Sequence, residues 1–193
     1  MKSLAILLSN KTVTALLLTG LMSVSSNAAD MPDTIKVTSS VFDHHGTMPL
    51  EYSAYGDNKS PDISWSDLPE GTMQLALVLD DPIPGMPQPF VHWVAYNISP
   101  EAGMIPAGLS KDPVVMGVDA LDGMINGING IRRAGYFGPR PPDESLHAYH
   151  FRIYALDAEL NLAEGLNKVD LLAAIEGHVL GTGMLMGHFK KPE

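Results

Sequence analysis

The sequence predicts a mainly β fold, an antiparallel β-sandwich with one helix near its C-terminus. Three segments carry that prediction. Residues 73–80 (MQLALVLD) are a near-continuous apolar run of strand length, the pattern of a strand buried on both faces. Residues 90–98 alternate, with Phe90, His92, Val94, Tyr96 and Ile98 on one face and Val91, Trp93, Ala95 and Asn97 on the other. Near the end, Leu171, Leu172, Ile175 and Val179 form a helical apolar stripe.

Taken in order, the chain opens with a basic segment holding Lys2 and Lys11. An apolar stretch around Leu16, Leu17, Leu18 and Leu21 follows, then small residues ending at Ala28 and Ala29. That order reads as a cleavable signal peptide over residues 1–29, with an apolar part about half the roughly 20 residues of a membrane span. The expectation is one soluble domain over residues 30–193, periplasmic or secreted. Residues 35–42 read as a first strand, His44-His45-Gly46 as a turn, 50–55 as its return strand and 56–61 as a loop. Residues 102–138 lose periodicity and read as a long irregular excursion. Residues 149–156 form another strand, with Tyr149, Phe151, Ile153 and Ala155 on one side. Asn167 is placed to cap the helix, Asp170 sits in its first turn, and Gly181 is the expected stop. Residues 184–189 would be a last strand.

Composition excludes several function classes. The chain has 12 Lys and Arg against 22 Asp and Glu; removing Lys2 and Lys11 with the leader leaves 10 against 22, a formal charge of −12. Such a chain is a poor partner for nucleic acid or acidic membrane. With no cysteine, thiol catalysis, thiolate zinc sites and iron–sulfur clusters are excluded. No G-x-S-x-G, S-x-x-K, G-x-x-x-x-G-K or H-E-x-x-H pattern occurs, so neither a nucleophile, a cofactor nor a metal is expected. His44 and His45 are expected to be exposed turn residues whose side chains point apart.

What remains is a dispersed polar set. Asp81 ends an apolar strand, His92 lies within another, and the stiff stretch Gly138-Pro139-Arg140-Pro141-Pro142 precedes His147 and Tyr149. His147 and Tyr149 are two apart on an extended chain and face the same way. Together these residues suggest a pocket at strand ends. Two imidazoles and a phenol would donate to a phosphate or carboxylate, and a carboxylate would orient one imidazole.

Two stretches resemble the signatures of the phosphatidylethanolamine-binding protein family. The first is Asp81-Pro82, then Phe90-Val91-His92-Trp93 and Tyr96-Asn97-Ile98. The second is Gly138-Pro139-x-Pro141-Pro142, then His147-x-Tyr149 and Tyr154-Ala155-Leu156. Asn58-Lys59-Ser60-Pro61, Trp65 and Pro69-Glu70-Gly71-Thr72 add to it, and residues 172–180 look like the helix of the bacterial YbhB/YbcL-like, Raf-kinase-inhibitor-like branch. The resemblance implies a sandwich with a small end cavity for phosphate, acetate-like anions or a phospholipid head group. Its lining would map to Asp81, His92, Gly138, Pro139, Pro141, His147 and Tyr149. The sequence departs from the family at Asp81-Pro82-Ile83-Pro84, where D-P-D-A-P is usual. It departs again at Arg140, often cysteine in bacterial relatives, and in a longer, glycine-rich stretch at 109–130.

The leading functional expectation is therefore a non-enzymatic binding protein for a small anion or phosphorylated head group. A protein-interaction or inhibitor role toward an enzyme or host partner is the alternative. A hydrolase using His92 or His147 as base and Asp81 as its orienter ranks third, for want of a nucleophile.

Overall fold

The computed structural model describes residues 34–193; the expected leader at 1–29 lies outside them. The strands are β1 (Lys36–Thr38), β2 (Gly46–Thr47), β3 (Ile63–Ser66), β4 (Gln74–Asp81), β5 (Phe90–Ile98), β6 (Met104–Ile105), β7 (Ile125–Asn126), β8 (His147–Leu156) and β9 (Val179–Phe189), with helix α1 (Lys168–Ala174) before the last. They form a three-stranded sheet in the order β1-β3-β6 and a six-stranded sheet in the order β2-β9-β8-β4-β5-β7. All pairings are antiparallel except β2 with β9.

The main core lies between the sheets, and a second apolar layer lies under α1. β4 serves both. Leu75, Leu77 and Leu79 enter the main core, whereas Ala76 and Val78 pack toward Leu171 of α1 and Ile175 at its C-cap. That double burial is why its sequence is apolar at nearly every position. Where the apolar run ends, two carboxylates continue the alternation, so Asp80 and Asp81 leave β4 on opposite faces.

β5 does not keep the strict alternation expected of it. Leu79 pairs with Trp93 and Asp80 with Val91, leaving His92 as the extra residue of a β-bulge. The bulge turns His92 away from Val94 and Tyr96 and toward the side of Trp93 and Tyr149. A second shift lies between Ile98 and Ala95. There Asn97 takes a φ of 55° and its amide bonds both backbone groups of Leu162, so Ile98 rejoins the main core.

Other elements differ from expectation for local reasons. β1 stops at Thr38 because Ser40 turns its backbone N–H and hydroxyl to the buried Asp62 carboxylate, at 2.8 and 2.9 Å. The expected return strand at 50–55 is instead a 3-10 turn, Leu50–Tyr52. The Ser53 N–H and hydroxyl both bond Leu50 O, closing the turn that a ladder would have to open. The Asn167 side chain caps α1 as expected, accepting from Val169 N and Asp170 N at 2.8 and 3.1 Å. The helix stops before Gly177, whose φ is 84°, and not at Gly181. Gly181 already belongs to β9, which starts five residues earlier than expected. Glycine suits that strand: a Cβ on Gly183 would lie 2.2 Å from Ile35 O.

Candidate binding site

The end of β4, the start of β5 and the start of β8 meet at one end of the large sheet, where Asp81 pairs with Phe90 and Asp80 with His150. A cavity of about 180 Å³ opens there. Asp81 and His92 form its polar wall, Ile83, Phe90 and Phe137 its apolar wall, and residues 140–142 its rim.

The two imidazoles are held differently. His147 donates from Nδ1 to Oδ2 of Asp81 at 2.7 Å, both side chains being less than a tenth exposed. His92 donates from Nδ1 to the Phe137 carbonyl at 2.7 Å and stacks on the Phe137 ring at 5.6 Å and 6°. A carbonyl only accepts, so Nδ1 carries the hydrogen and Nε2 of the neutral ring is a lone-pair acceptor. Burial lowers the His92 pKa below that of a free imidazole, against the raising effects of the Phe137 carbonyl and the Asp81 charge.

Tyr149 stands edge-on to His92 at 5.1 Å and is fully buried. Its pKa is raised, first by burial and then by the Asp81 charge. Among the described residues, the Tyr149 hydroxyl and Asp81 Oδ1 are buried without a hydrogen-bond partner. Orphan groups of this kind are rare in a folded interior, and here two occur on neighbouring strands.

The 138–142 loop is tied to residues 52–58. Gly138 N donates to Asn58 Oδ1 at 2.7 Å, Ala54 N to Pro139 O at 3.0 Å and the Tyr55 hydroxyl to Pro141 O at 2.7 Å. Only glycine allows this approach, because a Cβ at Gly138 would lie 2.4 Å from Tyr52 O. The Arg140 guanidinium lies over the Tyr55 ring at 5.9 Å, and Arg140 contributes to the rim.

The sequence-predicted residues thus occupy distinct tiers. Asp81, His92 and Pro141 line the cavity; His147 and Tyr149 stand against Asp81 and His92; Gly138 and Pro139 anchor the loop. The expected carboxylate–imidazole pair is Asp81 with His147. Each imidazole's Nδ1–H is engaged within the protein, so contact with a ligand falls to Nε2, which is an acceptor on the neutral His92 ring and a donor once the ring is protonated. Phe137, Asn58 and Tyr55 also build the site, and of these Asn58 alone has a sequence signal, in the Asn58-Lys59-Ser60-Pro61 match. Elsewhere His44 and His45 are exposed, but their rings meet edge-on at 4.1 Å instead of pointing apart. His45 has a φ of 65°, which bends the chain out of the extended form.

Comparison with known proteins agrees with this architecture. The family model described as phosphatidylethanolamine-binding protein matches residues 38–190. The chain belongs to that family. A UPF0098 protein of Methanothermobacter thermautotrophicus is 39% identical over 150 residues, 78% of this chain and 95% of its own. Among solved structures, the phosphatidylethanolamine-binding protein homologue CT736 of Chlamydia trachomatis aligns with a TM-score of 0.72 at 33% identity, covering 83% of this chain and all of that one. YbcL of E. coli, described as a member of the mammalian family, aligns with a TM-score of 0.73, covering 82% and 99%; at 23% identity it supports the fold alone.

Proposed function

We propose that this phosphatidylethanolamine-binding protein homologue is a non-catalytic binding protein whose end cavity takes a small phosphate-like oxyanion or phosphorylated head group. The orphaned pair of oxygens, Tyr149 Oη and Asp81 Oδ1, carries the reading. A bare dianion would suit the phenol and be repelled by the carboxylate. A monoprotonated phosphate or phosphate monoester suits both: its oxygens accept from Tyr149, and its own O–H donates to Asp81 or to Nε2 of His92. Catalysis would require an activated nucleophile, and the polar wall offers an imidazole and a carboxylate already engaged with other protein groups.

The basic, apolar and small-residue order of residues 1–29 supports export. Intact-mass measurement of exported protein should give a start at Ala29 or Asp30, and full-length chain in the membrane fraction would refute it. For the ligand, native mass spectrometry of protein purified from its own host should show a phosphate-bearing adduct that Tyr149→Phe loses. Equal occupancy in wild type and variant would overturn the assignment of the cavity.

A further inference from the structure

The sheet face turned away from the main core carries a different set of side chains. Met186 and His188 stand two apart on β9, and His150 stands opposite Met186 on β8, all three half-buried. The turn at 44–45 closes against the same stretch of β9. His44 accepts the Met186 N–H through Nδ1 at 3.2 Å, and His45 N donates to Met186 O at 2.7 Å. The His45 ring lies 5.8 Å from that of His188, so four of the chain's seven histidines gather here. With both backbone groups of Met186 turned to that loop, Met186 and His150 form a non-hydrogen-bonded pair. In such a pair the Cα atoms approach to about 4.5 Å and the side chains lie closest. His188 is the diagonal neighbour of His150, about 7–8 Å away and within reach of long side chains.

We infer that the Met186 thioether and the His150 and His188 imidazoles form a binding site for a soft monovalent metal ion, Cu(I) or Ag(I). The ligand set selects the ion. Among the described residues no three His, Asp or Glu side chains are grouped to hold a metal, so the set for a hard or borderline divalent ion is not assembled. Two imidazoles with a thioether make a soft set, and in a chain without cysteine the thioether is the soft donor available. Met184 Sδ accepts from the Arg152 guanidinium at 3.3 Å, so the uncommitted sulfur beside the imidazoles is that of Met186. The imidazoles are prepared as ligands. His188 donates from Nδ1 to the His45 carbonyl at 3.0 Å, which leaves Nε2 of the neutral ring with its lone pair; metal-bound histidines are commonly anchored in this way. His150 is held toward its neutral form, chiefly by burial, with the Arg152 and His188 charges acting in the same direction and Asp80 and Asp81 against them. Arg152 opposes a cation here and Asp80, ion-paired to Lys168, favours one, a balance that suits a single positive charge better than two.

The probe is Ag(I), which needs no reductant. It is titrated into the full domain in chloride-free buffer and followed by NMR of methionine methyls and histidine rings. One equivalent should shift the Met186 methyl and the His150 and His188 rings together and saturably, before the exposed Met86 and Met116 respond. Zn(II) should leave the Met186 methyl unmoved. Met186→Leu keeps the volume and removes the sulfur, and His188→Gln removes the ring. Each should weaken binding of the first equivalent by at least about tenfold, the least that losing even a ligand's supporting partner costs. Met184→Leu should leave it unchanged. The inference is overturned if Ag(I) reaches Met86 and Met116 as readily as Met186, or if Zn(II) shifts the Met186 methyl as Ag(I) does. It is overturned equally if Met186→Leu and His188→Gln both bind like the parent, or if Met184→Leu costs as much as Met186→Leu.

Discussion

His147 and Asp81, 66 positions apart in the chain, share a 2.7 Å hydrogen bond that joins the first residue of β8 to the last of β4. The bond fixes Oδ2 and leaves Oδ1 as the buried carboxylate oxygen without a hydrogen-bond partner among the described residues. Asp81→Asn keeps an acceptor for the imidazole and removes the charge, whereas Asp81→Ala leaves a buried N–H unpaired. Denaturant melts should therefore rank Asp81→Ala below Asp81→Asn, with a cost of about 1–3 kcal/mol for the alanine variant. Equal stabilities would mean that the pair contributes nothing to holding the strand ends together.

Tyr149→Phe should separate binding from folding. The hydroxyl makes no hydrogen bond of ordinary length within the described protein, with only the Arg140 backbone and the Asp81 carboxylate near it, so its removal should change stability by less than about 1 kcal/mol. Phosphate affinity by calorimetry should fall by about 10- to 150-fold. A variant that binds normally but melts earlier would make the phenol a structural group.

Acid should destabilise the unliganded protein through His92. Burial lowers its folded pKa, so as pH falls below about 6.5 the unfolded chain takes up a proton that the folded chain resists. Stability should be complete above that pH, decline below it, and cease declining through this group once the folded pKa is passed. His150 is shifted in the same direction, again chiefly by burial. Melts at about pH 7.5 and about pH 5.5 should show a smaller acid loss in His92→Gln than in the parent. A phosphate monoester, which gains its O–H at about pH 6, should bind more tightly at the lower pH, with proton uptake visible as a buffer-dependent heat; affinity flat across this range would remove His92 and the ligand proton from the site.

Gly138→Ala tests the loop anchor. Its Cβ would sit 2.4 Å from Tyr52 O, so the backbone must shift. Overpacking of this kind typically costs about 1–3 kcal/mol. Affinity should fall as well, because Pro141 and Arg140 follow on the same loop. A crystal structure of the variant with an unmoved loop and full affinity would contradict the account.

Much of this was legible in the sequence because strand patterns are short-ranged. The apolar run of β4, the bounds of β5 and the inward set Tyr149, Phe151, Ile153 and Ala155 follow from alternation and burial alone. The direction of His92 was not legible, because a bulge depends on how two strands register and not on either sequence by itself. The Phe137 carbonyl that fixes its tautomer comes from an irregular segment with no periodicity to read. The end of α1 is ambiguous in the sequence for a simpler reason: Gly177 and Gly181 are equally good stops by local chemistry, and packing of β9 against Ile35 and Thr34 claims the second for a strand.

The Asp80-Asp81 doublet makes β4 intolerant of small length changes. Neighbouring residues of a strand face opposite ways, so inserting or deleting one residue between Gln74 and Asp80 would exchange the two carboxylates between faces. His147 would lose its acceptor and Lys168 its counter-ion in the same event. The loop from Pro82 to Pro89 lies beyond both carboxylates, and length variation there leaves their facing intact. Loop grafting or tag insertion in this protein therefore belongs after Pro82, and circular permutants cut within β4 should be expected to fail.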